Sequence, residues 1–347
     1  ANMLTAAAGA TINRLPVLLF PSDLFANRIP DPVLQQLEHP SEHDVSVNDA
    51  FRPVSRFFTR ISRPEQLLSA MPEALRVLTD PAETGAVTVS LPEDVQTEAW
   101  DWPAEFFEKR VWHVRRPVPA PELLERAAEM LASAQRPLIV AGGGAIYSGA
   151  GEVLSVFAQR FGVPVVETQA GKGVIPWDHP LNAGPVGANG GLAANRLARD
   201  ADLVIALGTR LGDFVTASRT AFANPEVMYV GINVAPADAA KLRSLPLPAD
   251  ARRALEALQG ALEGRGWQGT ASAYRDEIEG LRREWLAETD GWRTPQDPAN
   301  LAQGEVIGVV NEAVGGEATV INAAGSMPGD LLKLWRPEDP KAYHLEY

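Results

Sequence analysis

The residue types most used for metal and nucleophilic chemistry are scarce in this chain: cysteine is absent and there are five histidines. His113, His179 and His344 stand far apart, while the other two fall in His39-Pro40-Ser41-Glu42-His43, the H-x-x-E-H spacing of a zinc protease. That chemistry needs both imidazoles on one helical face. Pro40 and Ser41 lie in a polar, turn-prone stretch without helical periodicity, so a solvated loop is expected and no metal ligand is assigned. Glycine-rich loops are the better candidates. Gly171-Lys172-Gly173 resembles the tail of a phosphate loop, but a Walker motif needs Ser or Thr where Gly173 stands and Gly where Val166 stands. Gly142-Gly143-Gly144 follows an apolar run, yet Tyr147 occupies the third glycine position of G-x-G-x-x-G and no acidic residue completes a dinucleotide fingerprint. A tight strand-to-helix turn is expected there. Three further loops could hold an anion: Gly184 to Gly191 before a helix, Gly208-Thr209-Arg210-Leu211-Gly212-Asp213 after a strand, and Ala323 to Gly329 after another strand. In the second of these, Arg210 and Asp213 could contact a ligand or pair with each other. By spacing alone each loop is a strand-to-helix turn.

Positioning such loops requires a layered α/β scaffold, and the apolar runs supply one. Leu15 to Phe20, Ala86 to Leu91, Pro137 to Ala141, Val163 to Glu167, Leu203 to Leu207, Val227 to Ile232 and Thr319 to Asn322 are short and non-alternating, as expected for parallel strands covered on both faces. Helical periodicity separates them: Pro64 to Leu78, the stretch around Leu123 to Leu131, Gly151 to Phe161, a segment ending at Arg199, Asp250 to Leu262, and 271–290. Asn300 with Gln303 reads as a capping box opening one more helix, which ends at Gly315-Gly316. The fold class expected is α/β, with doubly wound parallel-sheet domains.

Length and charge bound the rest. A chain of 347 residues is long enough for two or three domains, and the Pro-rich stretch Arg116 to Pro121 marks a boundary that neither helix nor ladder can cross. The expected division is 1–112, a central domain 113–266, a helical linker 267–298, and 299–347 as the start of a third unit, with the first and third domains incomplete. The net charge of −13 disfavours nucleic acid. No apolar run approaches a membrane span, and the lack of cysteine fits a reduced cytoplasm, so neither a membrane nor an oxidising compartment is expected.

Several segments, in order, resemble the thiamine-diphosphate (ThDP) enzyme family. Pro16 to Pro21 is similar to a strand of its pyrimidine-binding domain, and Gly85 to Val95 to the G-P-V-x-x-x-x-P-x-D-V ending of that domain. Gly208-Thr209-Arg210 with Asp213 and Thr216 is similar to the central-domain pattern G-x-R-x-x-D-x-x-T. Within the family the likeness is to hydrolases that open a trihydroxylated cyclohexane-1,2-dione in myo-inositol catabolism. It is carried by Asn48 to Arg56, Ala170 to Gly173, Pro176 to Pro180, Thr216 to Thr220 and Ala324 to Leu331.

The resemblance implies C–C bond hydrolysis of a small cyclic dione, with ThDP and Mg²⁺ as cofactors and self-association into a dimer or tetramer. It aligns Gly325, Ser326 and Met327 with the first diphosphate-side loop; Phe51, Arg52 and Arg56 are further candidates that could equally form a domain interface. The activating Glu and the G-D-G…N metal motif of the family are expected outside this chain, so the catalytic residues stay unassigned and the chain alone is expected to be inactive. Hydrolysis involves no net redox change, so FAD is not expected at Gly142 to Gly144, Gly187 to Gly191 or Arg210. The rival readings are an acetolactate-synthase-like ThDP lyase and a non-catalytic nucleotide-binding module.

Overall fold

The computed structural model describes residues 2–29, 39–297, 299–323 and 325–345; Pro298, Ala324 and Tyr347, each part of a stretch singled out above, lie outside them. The chain forms two compact units, 1–115 and 116–347.

In the first unit, α1 (Met3–Asn13), β1 (Val17–Leu19), β2 (Ser22–Asp23), β3 (Phe57–Arg60), α2 (Leu67–Thr79) and β4 (Ala86–Pro92) follow one another, with a 3-10 helix at Val47–Val54. β4 organises the sheet, because β1, β2 and β3 all pair with it in parallel. Its side chains are buried on both faces: Val87 and Val89 pack with Ala70, Ala74 and Val77 of α2, while Ala86 packs with Ala7 and Ala10 of α1 and with Phe51. The segment between Phe20 and Pro64 offers no apolar run, yet it supplies both β2 and β3. Those strands are two and four residues long, and β3 ends in a charged residue that is held by a buried carboxylate.

The second unit is a doubly wound parallel α/β domain. Its elements are α3 (Pro121–Ser133), β5 (Pro137–Ala141), α4 (Gly143–Tyr147), α5 (Gly151–Phe161), β6 (Val165–Glu167), β7 (Asn182–Pro185), α6 (Leu192–Asp200), β8 (Leu203–Leu207), α7 (Asp213–Thr216), β9 (Met228–Asn233), α8 (Pro236–Ala239), β10 (Leu245–Pro248), α9 (Ala251–Gly264) and α10 (Ser272–Arg293). The six strands run in the order β10-β9-β8-β5-β6-β7, so the winding reverses between β5 and β8. Ile139 and Ala141 face the core under α3, α5 and α9, whereas Leu138 and Val140 face the core under α6 and α10. β7 and β10, absent from the sequence expectation, are the two edge strands. They carry Pro185, Pro246 and Pro248, which an edge tolerates because one side of its ladder is unpaired.

After α10 the chain adds α11 (Gln303–Val314), β11 (Val320–Asn322), α12 (Met327–Leu334) and β12 (Tyr343–Leu345), with β11 and β12 parallel and Ile307, Leu331, Leu334, Trp335 and Tyr343 buried together. The expected Asn300–Gln303 capping box does not form, and at the N-cap Ala302 only the backbone N–H is capped by a side chain. The Glu305 carboxylate accepts the Ala302 N–H at 2.8 Å, and Asn300 instead donates to Asp297.

Candidate functional site

Polar groups collect where the β4 ladder ends in the first unit. Asp23 is buried, and one of its carboxylate oxygens accepts from the Ser90 hydroxyl at 2.5 Å and from Arg60 Nε at 2.7 Å. Arg60 also donates to Asp49 at 2.7 Å, and Arg52 Nε donates to the other Asp49 oxygen at 2.6 Å. Asn48 completes the network by donating to Ser90 Oγ and to the Ser22 carbonyl. Burial opposes ionisation of Asp49, but the Ser46 N–H and the two guanidiniums outweigh it and hold the carboxyl at about 2. Asp23 is likewise held below its ordinary value, burial being outweighed by Ser46, Ser90 and Arg60. Both acids are ionised near neutrality, which suits a fixed charge lattice better than proton transfer. Of the three sequence candidates here, Phe51 is core, Arg52 is ion-paired and stacked over Phe58 at 4.4 Å, and the Arg56 backbone joins the β4 ladder.

In the second unit the reversal point lies between the loops after β5 and β8, the usual ligand side of such a sheet. Here backbone meets backbone. Gly144 N–H donates to the Gly208 carbonyl at 2.9 Å, and a Cβ on Gly142 would stand 2.6 Å from that same oxygen. The glycines of Gly142 to Gly144 therefore serve close packing of two loops. Asp213 opens α7 and accepts from Ser218 Oγ at 3.3 Å.

At the end of β6 the chain buries two charged side chains, Glu167 and Lys172. Burial raises the Glu167 pKa against the opposing charge of Lys172, and it lowers Lys172 to about 8 against the opposing charge of Glu167. Glu167 accepts the Gly173 N–H at 2.9 Å, and the Lys172 ammonium lies 5.7 Å from the Tyr343 ring centre. Next to them Gln169 donates to the Pro328 carbonyl at 3.2 Å and to the Tyr343 hydroxyl at 2.6 Å. These contacts seat the first turn of α12 beside the strand ends of the central sheet, with Gly329 against Asn189 of the 184–191 loop.

Gly325, Ser326 and Met327 sit at this junction and are exposed. Gly325 has φ 135°, which a side chain would strain, and open space where a Cβ would point. Ser326 precedes α12 without any side-chain capping bond, leaving its hydroxyl and the Met327 amide available to an anion; Pro328 has no N–H and the Gly329 N–H donates to the Ser326 carbonyl. A diphosphate group fits such donors. His43 lies in a turn and His39 outside any helix, and no group of three potential metal-ligating side chains occurs among the described residues. Sequence reasoning missed Gln169, Tyr343 and the Asp23–Arg60–Asp49 lattice. Its available signal was the occurrence of charged residues at the ends of otherwise buried strands.

Residues 124–258 match the family model described as "Thiamine pyrophosphate enzyme, central domain". Over its whole length the chain is 44% identical to a 3D-(3,5/4)-trihydroxycyclohexane-1,2-dione hydrolase of Clostridium perfringens, 45% to one of Geobacillus thermodenitrificans and 44% to one of Clostridium tetani. The chain spans 57% of the length of these relatives.

Proposed function

We propose that this chain, whose residues 124–258 match the central domain of thiamine-diphosphate enzymes, belongs with those enzymes and acts in hydrolysing the C–C bond between the two carbonyls of trihydroxycyclohexane-1,2-dione, opening the ring to 5-deoxyglucuronate. The observation that carries this reading is end-to-end identity of 44–45% with hydrolases of that name, including the loop that bears Gly325, Ser326 and Met327. We assign 1–112 to the pyrimidine-binding domain, 113–266 to the central domain and 299–347 to the diphosphate-binding domain; 267–298, expected as a linker, packs α10 onto the central sheet through Tyr274, Ile278 and Trp285.

Bound ThDP would supply an electron sink for the carbanion left when the C–C bond breaks. Gly325, Ser326 and Met327 would hold its diphosphate end. The Gly325 backbone turns the chain, and the Ser326 hydroxyl and the Met327 amide would donate to the anion. Gln169 and Tyr343 fix that loop to the central sheet, so the donors are preorganised rather than gathered on binding. Mg²⁺ is the proposed counter-ion of the diphosphate, with none of the described residues assigned to it. The central domain serves as scaffold; the direct backbone contact of Gly144 with Gly208 at the reversal point supports a packed role there, and a hydrolysis needs no flavin. Self-association and a cytoplasmic location belong to the same reading; no helix among the described residues is long and apolar enough to cross a membrane.

The test is substrate competition in the presence of ThDP and Mg²⁺, run on protein in which this chain is extended to the full length of its relatives. Turnover of the cyclic dione with no acetolactate from pyruvate supports the hydrolase. Acetolactate formation without dione consumption refutes it in favour of a lyase.

A further inference from the structure

A second site lies in the central domain, lined by residues to which the cofactor reading gives no role. A cavity of about 430 Å³ is bounded by Thr216, Arg219, Phe222, Tyr229, Leu242 and Arg243. Its floor is aromatic: Phe222 is buried and meets Tyr229 edge to face at 5.9 Å. Two exposed guanidiniums border it. Among the described residues neither Arg219 nor Arg243 has a side-chain ion pair or hydrogen bond, although the chain carries a net charge of −13. The Tyr229 hydroxyl is likewise without a hydrogen-bond partner among them.

The backbone under these groups is unusual. Ala217, Ser218 and Arg219 have φ of 46°, 54° and 69°, and Leu242 and Arg243 have 54° and 58°, so both arginines stand on left-handed turns that non-glycine residues seldom adopt. Local bonds over-determine the first turn. The Thr216 hydroxyl donates to the Gly212 carbonyl and accepts the Arg219 N–H at 3.3 Å, and Ser218 N–H donates to the Asp213 carbonyl at 3.1 Å. Strain held in this way gathers at ligand sites, because the geometry is retained for what it presents.

We propose that this cavity binds a phosphate monoester of a ring-sized apolar molecule. Two unpaired guanidiniums match the double charge and forked oxygens of a phosphate monoester better than the single charge of a carboxylate. The Phe222–Tyr229 floor and Leu242 receive the ring, and the volume suits a small ligand of this kind. The site is independent of the cofactor loop.

Calorimetric titration of the intact protein with phenyl phosphate, inorganic phosphate, benzoate and phenol tests the proposal. Phenyl phosphate should bind most tightly, with each of the other three weaker by about tenfold or more, and Arg219→Gln or Arg243→Gln should each cost about tenfold, as expected for loss of one charge-assisted bond. Arg219→Gly is the folding control, since glycine relieves the left-handed backbone: it should melt at a higher temperature than the wild type and still lose binding. Absence of phenyl phosphate binding, binding unchanged in both arginine variants, or equal binding of inorganic phosphate, benzoate or phenol would overturn the proposal.

Discussion

Gln169 and Tyr343, 174 positions apart in the chain, are joined by a side-chain hydrogen bond of 2.6 Å from Gln169 Nε2 to Tyr343 Oη. The bond ties the end of β6 to β12, and the same amide holds the Pro328 carbonyl in the first turn of α12. Tyr343→Phe should therefore loosen β12 by about 1 kcal/mol, the usual worth of one such bond. Hydrogen exchange would show it as faster exchange confined to 320–345. Unchanged exchange there would mean that packing alone holds the segment.

Lys172 and Glu167 are buried together, so removing one partner strands the other. Lys172→Met should cost about 3 kcal/mol in chemical denaturation, and adding Glu167→Gln should recover most of it. The pH dependence has a definite sign. Folding lowers the Lys172 pKa from 10.5 to about 8, so in that window the unfolded chain binds the extra proton. Relative to the double variant, the wild type should gain stability as pH rises from about 8 to 10.5.

Asp49 gives a trend of the same sign in acid. Its carboxyl is held at about 2 against an ordinary 3.8, so the stabilisation is fully present above 3.8 and is lost as pH falls through 2. At neutral pH it amounts to about 2 kcal/mol. Asp49→Asn should flatten this part of the acid unfolding curve, and an unaltered curve would remove the Arg52–Asp49–Arg60 lattice from the account.

The loop crossing at Gly142 and Gly208 is a packing device. Gly142→Ala would place a Cβ 2.6 Å from the Gly208 carbonyl oxygen and 2.7 Å from Thr209 Cβ, and should destabilise by about 2–3 kcal/mol. Gly260→Ala, in the exposed interior of α9 with nothing near a Cβ, should instead stabilise by about 0.8 kcal/mol. Thermal melts of the two variants should move in opposite directions.

The sequence showed most clearly what is buried on two sides. Pro137 to Ala141, Leu203 to Leu207 and Gly151 to Phe161 coincide with the observed elements because a continuous apolar run, or an apolar face at helical spacing, has few other ways to be covered. Edge elements were not legible. β3, β7 and β10 are short, polar or proline-bearing, and become strands only because β4, β6 and β9 offer them a ladder. Resemblance singled out Gly325, Ser326 and Met327 as a motif, but their seating against Gln169, Asn189 and Tyr343 depends on contacts more than a hundred positions apart, which spacing cannot encode.

The measurement closest to the central claim is dione turnover in ¹⁸O-labelled water by protein in which this chain is extended to the full length of its relatives, with ThDP and Mg²⁺ supplied and the product analysed by mass spectrometry. Hydrolysis predicts one solvent oxygen in the carboxylate of a ring-opened product, with no turnover when ThDP is withheld. Consumption of the dione without label in that carboxylate, or at the same rate without ThDP, would contradict it.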